Sequence, residues 1–235
     1  MKQCNLVGIL ITAILSFAGV VNAQKNPYEA IPVKDTDGNV YKTIMLKDTV
    51  WMAENLRTTK FNDGTPIPLI KDRGAWKETK SPGYGWYNEN SDYKKSVGAI
   101  YNWHAVRTRK LCPTGWHVPT DKEWNDMMEY AGTEERSGDN AARLKEAGTA
   151  HWKSPNEAAT NAIFFNALPA GEISYFYKEE EMGTKATWWT SSEDRSDNPP
   201  MNALTTDLSY DFPSRTGGTN PKEDAYAVRC KKDNK

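Results

Sequence analysis

The stretch Leu111-Cys112-Pro113-Thr114-Gly115-Trp116-His117-Val118-Pro119-Thr120-Asp121-Lys122-Glu123-Trp124 places the tightest local constraints on this chain. Pro113 and Gly115 set a tight turn. Thr120 and Glu123 form a capping box, in which each side chain satisfies the other residue's backbone N–H. From that start Trp124, Met127, Met128 and Ala131 fall at i, i+3, i+4 and i+7, one face of an amphipathic helix that Gly132 ends. Cys112 adds a crosslinkable side chain. This is structural chemistry, with no reaction centre in it.

The compartment decides how the cysteines are read. Met1 to Ala23 has a short region with Lys2, an apolar run from Leu6 to Val21, and a Val21-Asn22-Ala23 cleavage signal before Gln24. That is the anatomy of a secretory signal peptide over residues 1–23. The apolar run is short of the ~20 residues a membrane span needs; a retained anchor is the alternative. Cys4 lies too early to be a lipidation cysteine at a cleavage junction. No later segment is apolar enough to span a bilayer. Cleavage leaves Cys112 and Cys230, which most simply form one disulfide in an exported protein. Two free thiols, or an intermolecular bond through Cys230, are the alternatives. A loop of over a hundred residues would gain ~4–5 kcal/mol in the chain-entropy account.

Cleavage also leaves about 210 residues, enough for one large domain or two small ones. Lys and Arg number 30 against 31 Asp and Glu. No net field therefore attracts nucleic acid or anionic lipid, and neither is expected as a partner. Nine Trp and eleven Tyr with a mean hydropathy of -0.76 suit a loop-rich extracellular domain whose core relies on large rings. The same rings suit a surface that stacks sugars. Residues 24–34, with Pro27 and Pro32, read as a tether; 35–232 form one domain; 233–235 are a charged tail.

Asp37-Gly38 signals a turn, and Val40–Leu46 with Val50–Met52 reads as a β-hairpin turning at Lys47-Asp48. Residues 72–98 are dominated by Gly, Pro, aromatics, Asn and Lys and read as irregular. Gly98–Trp103 is a strand or a helix entry, which periodicity does not decide. A second, shorter helix is expected from Asn140 to Ala147, stopped by Gly148. Ile163-Phe164-Phe165 and Leu168-Pro169-Ala170-Gly171 read as buried extended pieces. Thr187–Ser192 and Ala225–Cys230 read as strands. The class is α+β, with mainly antiparallel strands, one or two short helices and long loops.

Several words carry a family resemblance in order along the chain. They are Asp37-Gly38-Asn39-Val40-Tyr41, Val50-Trp51-Met52-Ala53-Glu54-Asn55-Leu56 and Gly98-Ala99-Ile100-Tyr101-Asn102-Trp103. Cys112–Trp124, Leu168-Pro169-Ala170-Gly171, Trp189-Thr190-Ser191-Ser192-Glu193 and Val228-Arg229-Cys230-Lys231 complete them. The chain resembles the Fibrobacter succinogenes major paralogous domain, a family of exported bacterial proteins. The resemblance implies a single C-type-lectin-like domain, related to the fold of formylglycine-generating enzymes, in which a Leu-Pro-Thr-x-x-Glu-Trp stretch also starts a core helix. It implies placement in the medium or on the bacterial cell surface, and a lean toward binding or adhesion.

No catalytic residue, metal ligand or cofactor is assigned. Trp124-Asn125-Asp126 spells a calcium-binding triplet of sugar-binding lectins. It lies inside the capped helix, however, and its Glu-Pro-Asn or Gln-Pro-Asp partner is missing. His104, His117 and His151 are too scattered for the usual zinc spacings; His117 reads as a packed histidine with both ring nitrogens bonded. The copper-dependent oxidase chemistry of formylglycine-generating relatives needs two adjacent free thiols, whereas Cys112 and Cys230 match structural positions. No G-x-S-x-G elbow, phosphate loop or dinucleotide fingerprint occurs. Binding remains, and two segments outside the family words offer a variable surface. The candidate ligand residues there are Tyr175 and Tyr177 beside the Glu179–Glu181 run, and Asp194, Asn198, Asp207, Tyr210 and Asp211. Rings would stack on sugars while Asp and Asn bond hydroxyls. The expected partner is a glycan or a surface protein. The alternatives are a structural surface subunit and an oxidase of the formylglycine-generating type.

Overall fold

The computed structural model describes residues 26–87, 91–132, 139–173, 179–196 and 198–234. The expected signal segment 1–23 and the candidates Tyr175 and Tyr177 lie outside them. The expected hairpin is present, with β2 (Val40–Leu46) antiparallel to β3 (Thr49–Met52) and Thr43 opposite Met52. Residues assigned to the tether extend it: β1 (Glu29–Lys34) pairs with β2, irregular between Ala30 and Val33. Pro32 is tolerated there because β1 is the sheet's edge, where no outward N–H is needed.

The region 72–98 is more ordered than its composition suggests. It carries α1 (Arg73–Glu78), β4 (Tyr84–Gly85) and α2 (Ser91–Ser96). Gly98 turns the chain out of it at φ +85°, and a side-chain carbon there would come within 2.8 Å of the Leu56 carbonyl. The ambiguous word after it is both things at once: β5 (Ile100–Asn102) runs into α3 (Trp103–Val106). The Asn102 side chain makes the switch by accepting from Ala105 N at 3.1 Å, an N-cap.

After β6 (Trp116–His117) comes α4 (Asp121–Gly132), and its capping box is as expected. Thr120 N donates to Glu123 Oε2 at 2.8 Å, and Glu123 N donates to Thr120 Oγ1 at 3.2 Å. Trp124, Met127, Met128 and Ala131 are all buried, while Asn125 and Asp126 face solvent.

Two expectations need correction. Residues 140–144 are turns and Lys145 bridges Ala167, so no helix forms there, because distant partners take groups a helix would use. Ala167 N donates to Leu144 O, Glu146 N donates to Ala167 O, and Ala142 N also reaches Pro213 O. Ile163 and Phe165 are buried, but their segment is a turn. Asn161, Phe164 and Asn166 all sit at φ between 51° and 56°, which breaks an extended run.

The remaining strands are β7 (Ala170–Ile173), β8 (Glu179–Met182), β9 (Lys185–Glu193), β10 (Asn202–Ser209), β11 (Thr216–Pro221), β12 (Ala225–Tyr226) and β13 (Lys231–Lys232). They assemble into three sheets, ordered β1-β2-β3-β13-β6, β11-β10-β9 and β4-β5-β12-β7-β8. Every strand pair in them is antiparallel. Few helices on mainly antiparallel sheets is the expected architecture, although Ala225–Cys230 is strand only at its first two residues.

Where these sheets meet α4, the rings of Trp51, Trp124, Phe165 and Trp188 pack with centroids 5.2–6.4 Å apart. The Arg229 guanidinium lies 4.1 Å over Phe165. It bonds Asn55 Oδ1 at 2.8 Å, Asn166 O at 2.8 Å and Phe165 O. Cys112 and Cys230 are joined in a disulfide across 118 residues, and both are buried.

Candidate functional site

The late candidates do not form one cluster. Asp194 and Asn198 lie just past β9; Tyr210 and Asp211 lie beyond the far end of β10. An eight-residue strand separates them by roughly 25 Å at ~3.4 Å per residue. Asp207 points into the protein, at 8 % exposure, with Lys185 Nζ 3.7 Å from its carboxylate. Tyr210 packs against the aromatic core. Asp211 is exposed and accepts from Ser209 Oγ. Asn198 is exposed, and Asp194 accepts from the Ser196 amide and hydroxyl at 3.0 Å each.

The rings are spent elsewhere. Eight of the nine tryptophans are buried, and Trp86 is partly so. The surface around Asp194 therefore lacks a tryptophan platform, and its recognition groups are polar.

That surface frames a depression of about 560 Å³, lined by Trp103, Val106, Arg107, Arg109, Ser191, Ser192, Glu193 and Arg195. Two elements build it. Trp103 Nε1 donates to Thr190 O at 3.0 Å, pinning α3 against β9, so the residues leaving each element share one rim. On the α3 side, Thr108 Oγ1 donates to Ala105 O at 2.7 Å, and Arg109 takes φ 59°. On the β9 side, Ser191 N donates to Pro119 O, and Ser192 Oγ accepts the Asp121 amide at 3.0 Å. Arg107, Arg109 and Arg195 are exposed, and among the described residues no carboxylate pairs with any of them. The one carboxylate among the described lining residues, Glu193, is held by buried Lys222. Lys222 also donates to Pro200 O at 2.5 Å and lies 4.9 Å over the Trp103 ring. The rim is thus cationic, and sequence reasoning passed over its arginines. The run Arg107-Thr108-Arg109-Lys110 was the visible signal, though Lys110 itself turns to Asp63 at 2.9 Å.

A second concavity of about 790 Å³ lies between the β2–β3 turn, α4 and the C-terminal tail. Its wall holds a knot of charges centred on Glu123. Glu123 accepts from Lys231 Nζ at 2.7 Å, and His117 Nε2 lies 3.0 Å from it. The other His117 nitrogen is 2.5 Å from Asp233, so both ring nitrogens are occupied as expected. Burial pushes the Glu123 carboxyl up, but the bonds from His117, Lys231 and Thr120 outweigh it and hold the group well below the usual range. The Glu123 bond raises His117 against its burial, with Asp233 adding to the effect. This knot ties helix, strand and tail together; it reads as structure.

Glu172 of β7, Asp207 of β10 and Asp224, just before β12, are buried. Burial raises Asp224 to about 7, with nearby Glu172 and Glu223 adding to the rise and the Tyr226 hydroxyl opposing it. Among the described residues no group of three or more His, Cys, Asp or Glu is arranged to hold a metal ion. Nor is any described helix long and apolar enough to cross a membrane.

A family model described as the Fibrobacter succinogenes major domain matches residues 45–232. The chain has no match among curated proteins, and none among solved structures.

Proposed function

This chain belongs to the Fibrobacter succinogenes major domain family, and from that premise we propose that it is an exported, non-enzymatic binding module of C-type-lectin-like fold. It is released or displayed at the bacterial surface after loss of residues 1–23, and it recognises carbohydrate through its late loops. The observation that carries the reading is the depression of about 560 Å³ where β9 leaves its sheet beside α3. Its size falls within the ~300–1,000 Å³ of ligand sites. Serine hydroxyls and arginine forks line it, with Asp194 and Asn198 on the loop beside it. Tyr210 and Asp211, at the other end of β10, belong to no shared ligand face with them.

The test is an array of plant and host glycans probed with the labelled mature protein. Binding is expected to at least one glycan class, and Ser191→Trp, which fills the depression from an exposed position, should abolish it. An empty array, or binding that Ser191→Trp leaves unchanged, refutes the reading.

One observation favours the second reading, a structural or protein-binding surface subunit. The edge strand β11 is exposed over Thr216–Thr219 and carries no charge, and proline enters only at Pro221, so little blunts it against strand addition. Concentration-dependent association in sedimentation, lost in Thr219→Lys, would support that reading. The oxidase reading requires free thiols, and it conflicts with the Cys112–Cys230 bond.

A further inference from the structure

We propose that the ligand of the Trp103–Arg195 depression is an acidic polysaccharide, read through the oxyanions of its uronate or sulfate groups. The inference rests on the reading of that depression as the ligand face and adds the charge of what it holds. Three arginines reach the rim from two segments of chain, Arg107 and Arg109 from the exit of α3 and Arg195 from the exit of β9. Each is exposed and, among the described residues, without a carboxylate partner. A molecule with almost equal numbers of acids and bases, 31 and 30, has no general shortage of carboxylates to pair with them. Some cations elsewhere on this surface are matched, Lys60 with Asp37, Lys80 with Glu223, Lys110 with Asp63, Lys122 with Asp126 and Arg215 with Asp121. Others, such as exposed Lys42, Lys47 and Lys71, are not matched among the described residues. What sets the depression apart is that three unpaired guanidinium groups gather around one concavity. Glu193, the sole acid among the described lining residues, is neutralised from beneath by Lys222. Its charge is therefore withdrawn from the arginines above.

The chemistry of the lining narrows the ligand further. Guanidinium groups present planar forks that fit carboxylate and sulfate oxygens. The Ser191 hydroxyl is exposed beside them and suits a neighbouring sugar hydroxyl. No flat ring is on offer: Trp103 is 5 % exposed and Lys222 covers one face. A neutral sugar would thus lose the stacking that usually holds it and would leave three cations unsatisfied. A nucleic acid would need a basic track along the surface, whereas this charge is confined to one concavity on a chain of net charge -1.

The experiment compares three oligosaccharide probes by titration calorimetry on the mature protein. They are hexagalacturonate, the same hexamer fully methyl-esterified, and a chondroitin sulfate hexasaccharide. Binding of either acidic probe without the ester is expected, and which of the two binds identifies the oxyanion. Raising salt from 0.05 to 0.5 M should weaken that binding, as screening requires. Arg195→Ala and Arg107→Ala should each weaken it about tenfold, the loss of one charge-assisted bond, with the thermal midpoint unchanged. Arg195→Glu should remove it. Equal binding of the methyl ester, or of the ester alone, overturns the proposal while leaving the depression as the ligand face. Acidic binding that all three variants retain, or failure of both acidic probes together with empty acidic positions on the array, overturns the proposal outright.

Discussion

Arg229 holds a positive charge in the core, and among the described residues no carboxylate pairs with it directly, Glu54 acting only through its field. Burial lowers it to about 9, yet three oxygen acceptors and two aromatic faces still favour the cation at neutral pH. The acceptors are fixed by their own partners: Asn55 Oδ1 also takes the Trp188 indole N–H at 2.8 Å, and Asn55 Nδ2 donates to Val97 O. Lysine keeps the charge but lacks the fork, so it leaves acceptors unpaired in the core. We expect Arg229→Lys to cost about 2–4 kcal/mol, read by urea unfolding; a cost within error of zero would mean the network carries no stability. Asp224 is the opposite case, an acid that gains nothing from ionising where it sits. Its folded value of about 7 lies above the unfolded 3.8. Between these the native chain holds an extra proton, and this group's contribution to stability falls as pH rises through that window. The neutral side-chain amide introduced by Asp224→Asn would still accept the Tyr226 hydroxyl, now bonded to the carboxyl at 3.1 Å. The melting point of Asp224→Asn should therefore exceed the parent's by a margin that grows from pH 5 to pH 8, at about 2–4 °C per kcal/mol. A margin independent of pH would show that Asp224 does not titrate in this range.

At the level of elements, α4 is the part most fully written in its own residues. Its cap and its buried face follow from local spacing, which is why the sequence read both correctly. The failures at 140–147 and 163–165 differ in cause. At 163–165 the left-handed φ of Asn161, Phe164 and Asn166 breaks the extended run. At 140–147 backbone groups are taken by residues 167 and 213, and periodicity does not register a non-local bond. The anchor of α4 is likewise non-local. Glu123 caps the helix but also binds Lys231 of β13 and His117 of β6, so one carboxylate fixes three elements. Glu123→Gln leaves Lys231, 5 % exposed, without an anion, and about 2–4 kcal/mol should be lost. The histidine adds a pH dependence of definite sign. Its folded value is raised above 6.5, so its contribution is complete below pH 6.5 and disappears as pH rises through the folded value. The stability of the parent relative to His117→Gln should then be largest near pH 6 and fade by pH 9, as thermal melts at both ends would show. A gap that widens with pH would reverse the assignment.

The whole molecule explains why the rim of the depression was harder to read than the fold. Antiparallel architecture follows from short β-rich words in order, and each word is local. The depression instead depends on Trp103 meeting Thr190 across 87 residues. That contact helps bring Arg107 and Arg109 beside Arg195, which no local pattern links to them. Aromatic content misled for a related reason: composition reports how many rings there are, and packing puts nearly all the tryptophans inside. The cysteines were legible because the cleavage expected after residue 23 would leave two of the three, which allows few arrangements, and the bond between Cys112 and Cys230 closes a long covalent loop. It joins the turn before β6 to the residue before β13, strands that pair with each other at His117 and Lys231. Reduction therefore releases 118 residues of sequence separation in the unfolded chain while leaving the strand pairing to hold the native one. In the chain-entropy account that release costs ~4–5 kcal/mol at most, against a total of ~5–15 kcal/mol for a domain. Cys112→Ala/Cys230→Ala should thus remain folded but unfold at markedly lower urea, and the parent in reductant should match it. Thiol titration of the denatured, unreduced parent should find neither Cys112 nor Cys230 free. Two free thiols there, or a double variant as stable as the parent, would remove the crosslink from any account of this fold.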